Sequence, residues 1–132
     1  MTLRVVAAAL WNDAGELLIA QRPEGKPLAG RWEFPGGKVD GAESELEALR
    51  RELREELGVE VEKARPLMRI DAVYPERSIE LSLWVVDTFN GTPRALDGQR
   101  LKWVAPEALY AQDILEADRP FIDALQTLRP RP

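Results

Sequence analysis

Residues 37–59 read GKVDGAESELEALRRELREELGV, and this stretch organises the interpretation of the whole chain. It begins in a glycine pair, contains no proline, and is rich in residues with high helix propensity. The pattern predicts an α-helix from about Ala42 to Leu57. Asp40 or Gly41 would start this helix, and Gly58 would end it.

The predicted helix has one apolar face with acidic residues beside it. At about 100° per residue, its hydrophobic side chains form one stripe that must be buried, namely Ala42, Leu46, Leu49, Leu53 and Leu57. The acids next to this stripe are Glu45, Glu52, Glu55 and Glu56. Like charges at this spacing repel, and each pair costs an isolated helix about a few tenths of a kcal/mol. The basic residues Arg50, Arg51 and Arg54 fall on the other side of the wheel, where Glu43 and Glu47 can pair with them.

This separation of charge predicts a site for a cation. The chain contains no His and no Cys, which excludes zinc and copper sites of the usual kind. A cluster of carboxylates suits a hard cation such as Mg²⁺ or Mn²⁺, and Mg²⁺ commonly takes phosphate oxygens as further ligands. Phosphate chemistry is therefore the leading class of function. In an arbitrary helix the same pattern would more often indicate a solvated face, so the flanking residues decide.

The flanking residues resemble a known motif. Gly37, Glu43 and the run RELREELGV at Arg51–Val59 fill the fixed positions of the Nudix box. The similarity extends over nearly the whole chain and resembles the MutT-type branch of the Nudix hydrolases. It is carried outside the box by Leu18–Arg22, Trp32–Lys38, Asp97–Gln99 and Ala117–Pro120.

The resemblance implies a single Nudix domain over residues 1–132, with the α/β (α+β) fold of that family: a mixed β-sheet sandwiched between α-helices, α/β/α. It also implies water attack on a phosphorus of a nucleoside triphosphate, which releases the monophosphate and pyrophosphate. The favoured substrate is 8-oxo-dGTP, which would make the chain a pool-sanitising enzyme that supports DNA repair and DNA replication. CTP or 5-methyl-dCTP is the alternative, ahead of nucleoside diphosphate sugars or dinucleotides. A non-catalytic nucleotide-binding module ranks lower, because such modules tend to lose metal ligands that this chain keeps.

The same resemblance assigns roles to individual residues. The metal ligands for Mg²⁺, with Mn²⁺ as a second choice, are the Gly37 carbonyl and the carboxylates of Glu52, Glu55 and Glu56. One of Glu52, Glu55 or Asp97 would act as general base; the family generally has a Glu near the position of Asp97. Arg51 is expected to pair with Glu47 and brace the glycine loop, which Glu43 also supports.

The implied substrate-binding residues are Arg22, Phe34, Lys38, Tyr74, Arg77 and Asp118. Arg22 would meet the phosphates, or it is a solvated strand end. Phe34 would lie near the nucleobase, or it belongs to the core. Asp118 would read the base, because a carboxyl group can accept hydrogen bonds and, when protonated, donate one. The alternative for Asp118 is a helix N-cap.

The remaining segments alternate between apolar runs and turn residues. The strands that they predict are Leu3–Trp11, Glu16–Arg22, Trp32–Pro35, Pro66–Tyr74, Ile79–Asp87 and Leu101–Val104. Short helices are expected at Pro106–Tyr110 and Pro120–Leu128. Pro23–Arg31 reads as a polar flap over the substrate, Glu60–Arg65 as a charged connection, and residues 129–132 as a frayed tail.

Composition limits the classes of partner. A chain of 132 residues that is 45% hydrophobic can bury the core of one domain. A net charge of −5 argues against binding a nucleic-acid polymer or an anionic membrane through a basic surface, so an anionic substrate would arrive with its cation. The lack of Cys excludes a disulfide framework, and no apolar run suggests a signal peptide or a membrane span. The expectation is a cytoplasmic monomer or weak homodimer that takes a small-molecule nucleotide.

Overall fold

The computed structural model describes residues 2–73 and 75–128. Its strands are β1 (Thr2–Leu10), β2 (Leu17–Gln21), β3 (Trp32–Glu33), β4 (Gly36–Lys38), β5 (Glu60–Val73), β6 (Ser78–Asn90) and β7 (Arg100–Val104). Its helices are α1 (Glu45–Leu57) and α2 (Arg119–Gln126), with 3₁₀ helices at Pro106–Ala111 and Glu116–Asp118. Tyr74 and the predicted tail at residues 129–132 lie outside the described residues.

The strands form two sheets. The larger sheet has the order β4-β1-β6-β5, in which β1 runs parallel to β6 and antiparallel to β4. The smaller sheet has the order β3-β2-β7 and is antiparallel. Strand β1 is thus interior to the larger sheet, which agrees with its continuous apolar sequence.

Both faces of β1 are covered. Ala7 faces a core that includes Phe121 of α2. Its neighbour Val6 faces a second core that includes Leu53 of α1. Because successive side chains of a strand point to opposite faces, the two helices lie on opposite sides of the larger sheet. The predicted fold class, a mixed sheet between helices, is confirmed.

Helix α1 starts later than predicted. It begins at Glu45, and Ser44 is its N-cap: the Ser44 Oγ accepts from the Glu47 N–H at 3.1 Å, and the Glu47 carboxylate accepts from the Ser44 N–H at 2.8 Å. The predicted start at Ala42 is wrong because this capping box, Ser44-Glu45-Leu46-Glu47, satisfies the first free N–H groups of the helix. The predicted end is confirmed, since Gly58 has a left-handed conformation with φ 71°.

Strand β5 is longer than predicted. The segment expected to be a charged connection, Glu60–Arg65, belongs to β5 and pairs with β6, with register shifts on either side of Lys63 and after Pro66. Strand β5 lies at the edge of its sheet, where charged side chains are common. An edge strand can also contain Pro66, which has no backbone N–H to donate to a neighbouring strand. The other predicted elements are present, with ends that differ by a few residues. No helix in the described part of the chain is long and apolar enough to cross a membrane.

Ser44→Ala should lower the free energy of unfolding by about 1 kcal/mol, because the Glu47 N–H loses its acceptor. Urea unfolding at pH 7 measures the change. Ser44→Asp, which keeps an acceptor at the N-cap, should retain most of the stability. Equal stability of the alanine variant and the wild type would contradict the role given to the cap.

Candidate functional site

The glycine pair brings β4 into close contact with β1 and α1. A Cβ atom on Gly36 would lie 2.0 Å from the Val6 carbonyl oxygen. A Cβ atom on Gly37 would lie 2.3 Å from the Glu52 Cδ atom. These positions therefore accept only glycine without movement of their neighbours. The result is that the carboxylate of Glu52 lies directly against the backbone of Gly37.

Arg51 joins β4 to α1. Its Nη2 donates to the Lys38 carbonyl at 2.9 Å, and its Nε donates to Glu43 at 2.7 Å. Its Nη1 donates to Glu52 at 2.9 Å and to Glu55 at 3.4 Å. The hydrogen bond from Arg51, together with the Asp40 backbone, lowers the pKa of Glu43 to about 2.

These contacts correct two expectations about Arg51. The helical wheel places Arg51 on the side of the helix away from the acidic cluster, yet its guanidinium contacts Glu52 and Glu55. Its expected partner Glu47 is engaged by the cap at Ser44, and Glu43 takes that place. The reason is that a helical wheel gives the direction of the Cβ atom, whereas the long arginine side chain reaches around the helix.

Two of the acidic side chains on α1 lie where ionisation is unfavourable. Burial, reinforced by the charges of Glu52, Glu33 and Asp97, raises the pKa of Glu56 to about 8. Burial also raises the pKa of Glu52, against the opposing effect of Arg51. Glu55 is more exposed, with 59% of its side chain accessible. A bound cation would offset the cost of keeping these buried groups ionised.

The donor set fits a divalent metal ion, although it is not preassembled. Glu52 and Glu56 lie one helical turn apart, Glu55 flanks them, and the Gly37 backbone adjoins Glu52. Over the described ranges, no group of three or more His, Cys, Asp or Glu side chains stands close enough together to hold a metal ion. The carboxylates of Glu52 and Glu55 both accept hydrogen bonds from Arg51 Nη1.

Two adjoining cavities meet at this acidic group. The smaller has a volume of about 180 Å³ and is lined by Lys26, Asp97 and Gln99, among others. The larger, of about 500 Å³, is lined by Gly37, Lys38, Phe34, Arg77, Leu115 and Asp118, among others. The two cavities share five lining residues, Arg22, Lys26, Glu33, Gly36 and Glu56.

Asp118 lies in the wall of the larger cavity and is only 5% exposed. Its Oδ2 accepts a hydrogen bond of 2.9 Å from the N–H of Phe34. Asp118 occupies the N-cap position of α2, as the alternative expected, but its side chain makes no capping hydrogen bond. Burial raises the pKa of Asp118 to about 7, and the charge of Glu33 adds to this effect. Phe34 is both a core residue, in edge contact with the Phe121 ring, and part of the cavity wall.

The other expected substrate contacts lie around the same cavities. Arg22 is not a solvated strand end, because its Nε and Nη2 each donate to Glu33 at 3.2 Å. Lys38 and Arg77 are exposed at the rim of the larger cavity, and Asp97 is exposed at the smaller one. Tyr74 lies outside the described residues.

Sequence reasoning assigned no role to Gln99. Its Oε1 accepts from the Asp97 N–H at 2.8 Å, and its Nε2 donates to the Glu56 carbonyl at 3.2 Å. The Leu96 N–H donates to the same carbonyl at 3.1 Å. The loop that carries Asp97 is thus fixed to the end of α1. The role of Gln99 could have been suspected from the sequence only through a general rule, because the last carbonyl groups of a helix need hydrogen-bond donors from elsewhere.

Comparison with known proteins identifies the family. The family model described as the NUDIX domain matches residues 1–125. The chain belongs to the Nudix family. This Nudix chain is 42% identical over 127 residues to the CTP pyrophosphohydrolase of Escherichia coli K12, covering 96% of this chain and 93% of that protein. It is 36% identical over 123 residues to the 8-oxo-dGTP diphosphatase of Haemophilus influenzae, covering 93% and 90% respectively.

A solved structure gives the same result. MutT, from work on the proteins of Aliivibrio salmonicida and Vibrio cholerae, superposes with a TM-score of 0.85 at 32% identity and covers 95% of this chain and 97% of its own. The chain is therefore a MutT-like Nudix hydrolase. Nudix hydrolases generally use a divalent metal, in agreement with the carboxylate donor set on α1.

Asp118→Asn should change how stability depends on pH. With a pKa of about 7 in the folded protein and 3.8 as the ordinary value, Asp118 keeps a proton that the unfolded chain releases as the pH rises. The free energy of unfolding should therefore fall between about pH 4 and pH 7, by up to about 4 kcal/mol at about 1.4 kcal/mol per pKa unit. Asparagine removes this contribution and retains an acceptor for the Phe34 N–H.

Urea unfolding of both proteins at intervals from pH 4 to pH 8 measures this effect. The difference in unfolding free energy should shift in favour of Asp118→Asn as the pH rises. Parallel pH profiles for the two proteins would contradict the raised pKa.

Proposed function

We propose that this chain is a Mg²⁺-dependent nucleoside triphosphate pyrophosphohydrolase, organised as a single domain over residues 1–132, with 8-oxo-dGTP as its first substrate. One observation carries the proposal. The same cavity of about 500 Å³ is lined by Gly37 and Glu56, which belong to the candidate metal site, and by the buried Asp118. A bound nucleotide could place its phosphates beside the acidic residues of such a cavity and its base beside Asp118.

The phosphate end would use the residues of the glycine turn and α1. The carboxylates of Glu52, Glu55 and Glu56 and the Gly37 carbonyl would hold Mg²⁺. When bound, the ion supplies neutralisation of phosphate charge and lowers the pKa of a coordinated water. The Lys38 side chain, which has no partner in the described part of the chain, lies at the cavity rim and would attract the phosphates.

A general base would take a proton from the attacking water. Glu52 is the most buried of the three candidates and has a raised pKa, which brings its proton affinity closer to neutral pH. Glu55 is held by Arg51 at the exposed edge of the cluster. Asp97 lies on the other side of Glu56, in the smaller cavity. Attack of the water oxygen on phosphorus would break the anhydride bond between the α- and β-phosphates, so that pyrophosphate separates from the nucleoside monophosphate.

The end of the cavity that would hold the base contains Asp118. Its Oδ2 accepts a hydrogen bond from the Phe34 N–H, which leaves Oδ1 to form a hydrogen bond with the nucleobase. With a pKa of about 7, the group is present near neutral pH both as a donor and as an acceptor. An oxidised guanine offers carbonyl oxygens and N–H groups that match both forms. Similarity to the 8-oxo-dGTP diphosphatase of Haemophilus influenzae supports this choice.

CTP or 5-methyl-dCTP is the second candidate substrate. The 42% identity to the Escherichia coli CTP pyrophosphohydrolase favours it, and ionised Asp118 could accept from the exocyclic amine of cytosine. In either case the substrate is a small nucleotide rather than a nucleic-acid polymer, and the work would be done in the cytoplasm by a monomer or weak homodimer. Hydrolysis of 8-oxo-dGTP would protect DNA replication by removing a damaged precursor.

Wild-type protein in Mg²⁺ should show a kcat/KM for 8-oxo-dGTP at least about tenfold above those for dGTP, CTP and 5-methyl-dCTP, from about 1.4 kcal/mol of discrimination. Asp118→Ala should reduce this ratio, because the base loses its buried partner. Asp123→Ala on the outer side of α2 is the control. A higher kcat/KM for CTP would replace the first candidate with the second, and equal loss of activity on all nucleotides would contradict the role of Asp118.

Glu52→Gln and Glu56→Gln should each lower kcat by about a hundredfold or more at saturating Mg²⁺, because a metal ligand contributes several kcal/mol to transition-state stabilisation. Steady-state release of pyrophosphate measures the loss. Glu62→Gln removes the same charge from β5, away from both cavities, and should keep wild-type rates. Near-normal turnover of either helix variant would rule out the proposed metal site.

A further inference from the structure

The loop between β2 and β3, Pro23–Arg31, is tied to the body of the protein at both ends, and we call it the flap. At its base, the Arg22 N–H donates to the Arg31 carbonyl at 2.9 Å, and the Gly30 N–H donates to the Arg22 carbonyl at 2.9 Å. The Arg31 Nη2 donates to the Ile114 carbonyl at 2.9 Å. The flap is thus held in a defined position beside both cavities rather than projecting freely.

The side chain of Arg22 is fully engaged in holding this loop. Two of its nitrogens donate to the Glu33 carboxylate in the bidentate arrangement that arginine favours. Its remaining terminal nitrogen, Nη1, donates to the carbonyl of Pro27, inside the flap, at 3.1 Å. A guanidinium committed in this way links the flap to β3 and has its charge compensated by Glu33.

Lys26 lies in the middle of the flap and differs from Arg22 in this respect. Its ammonium group has no hydrogen bond or ion pair within residues 2–73 and 75–128. It is one of the five residues that line both cavities, and only Arg22 and Lys26 among those five are cationic. The other shared charged residues, Glu33 and Glu56, are acids. Lys26 therefore provides the uncompensated positive charge where the two cavities meet.

We propose that Lys26 is the residue of the flap that contacts the phosphate chain of the substrate, and that Arg22 is a positioning residue that holds the flap in place. The inference rests on the proposed function and adds a binding residue to it. It also departs from the role that the family resemblance gives to Arg22. The flexible ammonium group of lysine can follow phosphate oxygens as a point charge, whereas the planar guanidinium of Arg22 is already paired with a carboxylate.

The direct test is the affinity of the protein for inorganic pyrophosphate in Mg²⁺, measured by isothermal titration calorimetry. Lys26→Ala should raise the Kd about tenfold or more, as expected for the loss of one charge-assisted contact. Lys26→Arg should restore most of the affinity. Lys63→Ala, which removes the same charge from an exposed position of β5, should leave the Kd unchanged, and thermal unfolding checks that every variant is folded.

A double-mutant cycle separates the roles of the two residues. Arg22→Ala should raise the Kd for pyrophosphate in the wild-type background, because the flap loses its link to Glu33. It should have little further effect in the Lys26→Ala background, where the positioned cation is already absent. Additive effects of the two substitutions would show that Arg22 contacts phosphate independently, and would overturn the division of roles.

The binding test for Lys26 uses pyrophosphate, so its outcome does not depend on which nucleotide is the substrate. Wild-type affinity for pyrophosphate in Lys26→Ala, or no binding of pyrophosphate by the wild type, would overturn the inference. A wild-type protein that binds pyrophosphate through Lys26 but hydrolyses no nucleotide would leave the inference in place and refute the proposed function.

Discussion

The contacts of Arg51 hold the candidate site together. One guanidinium binds the Lys38 carbonyl of the glycine turn, the Glu43 carboxylate of the loop, and Glu52 of the helix. The turn can come this close only because Gly37 has no side chain, since a Cβ atom there would overlap the carboxyl group of Glu52. The backbone of Gly37 and the carboxylate of Glu52 are therefore adjacent before any ligand binds.

The site that results has an excess of negative charge on one side and an uncompensated positive charge on the other. Glu56 is largely buried and has acidic neighbours, which together raise its pKa to about 8. Lys26 stands free at the junction of the two cavities. A metal ion bound to a polyphosphate would match this arrangement, with the ion held by the carboxylates and a phosphate held by the lysine.

The sequence predicted the parts of the fold that depend on local pattern. The apolar face of α1 and its stop at Gly58 follow from helical periodicity and from the left-handed conformation that glycine accepts. The start of α1 was missed although its signal, the capping box at Ser44, is local. Other features could not be seen locally: the burial of Asp118 depends on a hydrogen bond to Phe34, 84 residues away in the chain. The pairing of Arg22 with Glu33 likewise requires β2 and β3 to be adjacent.

The most direct test of the account is to identify the products by ³¹P NMR after the protein is incubated with 8-oxo-dGTP or CTP in Mg²⁺. We expect equal amounts of nucleoside monophosphate and inorganic pyrophosphate, and we expect chelation of the metal to stop the reaction. Orthophosphate with a nucleoside diphosphate, turnover that persists after chelation, or unchanged triphosphate in every case would contradict it.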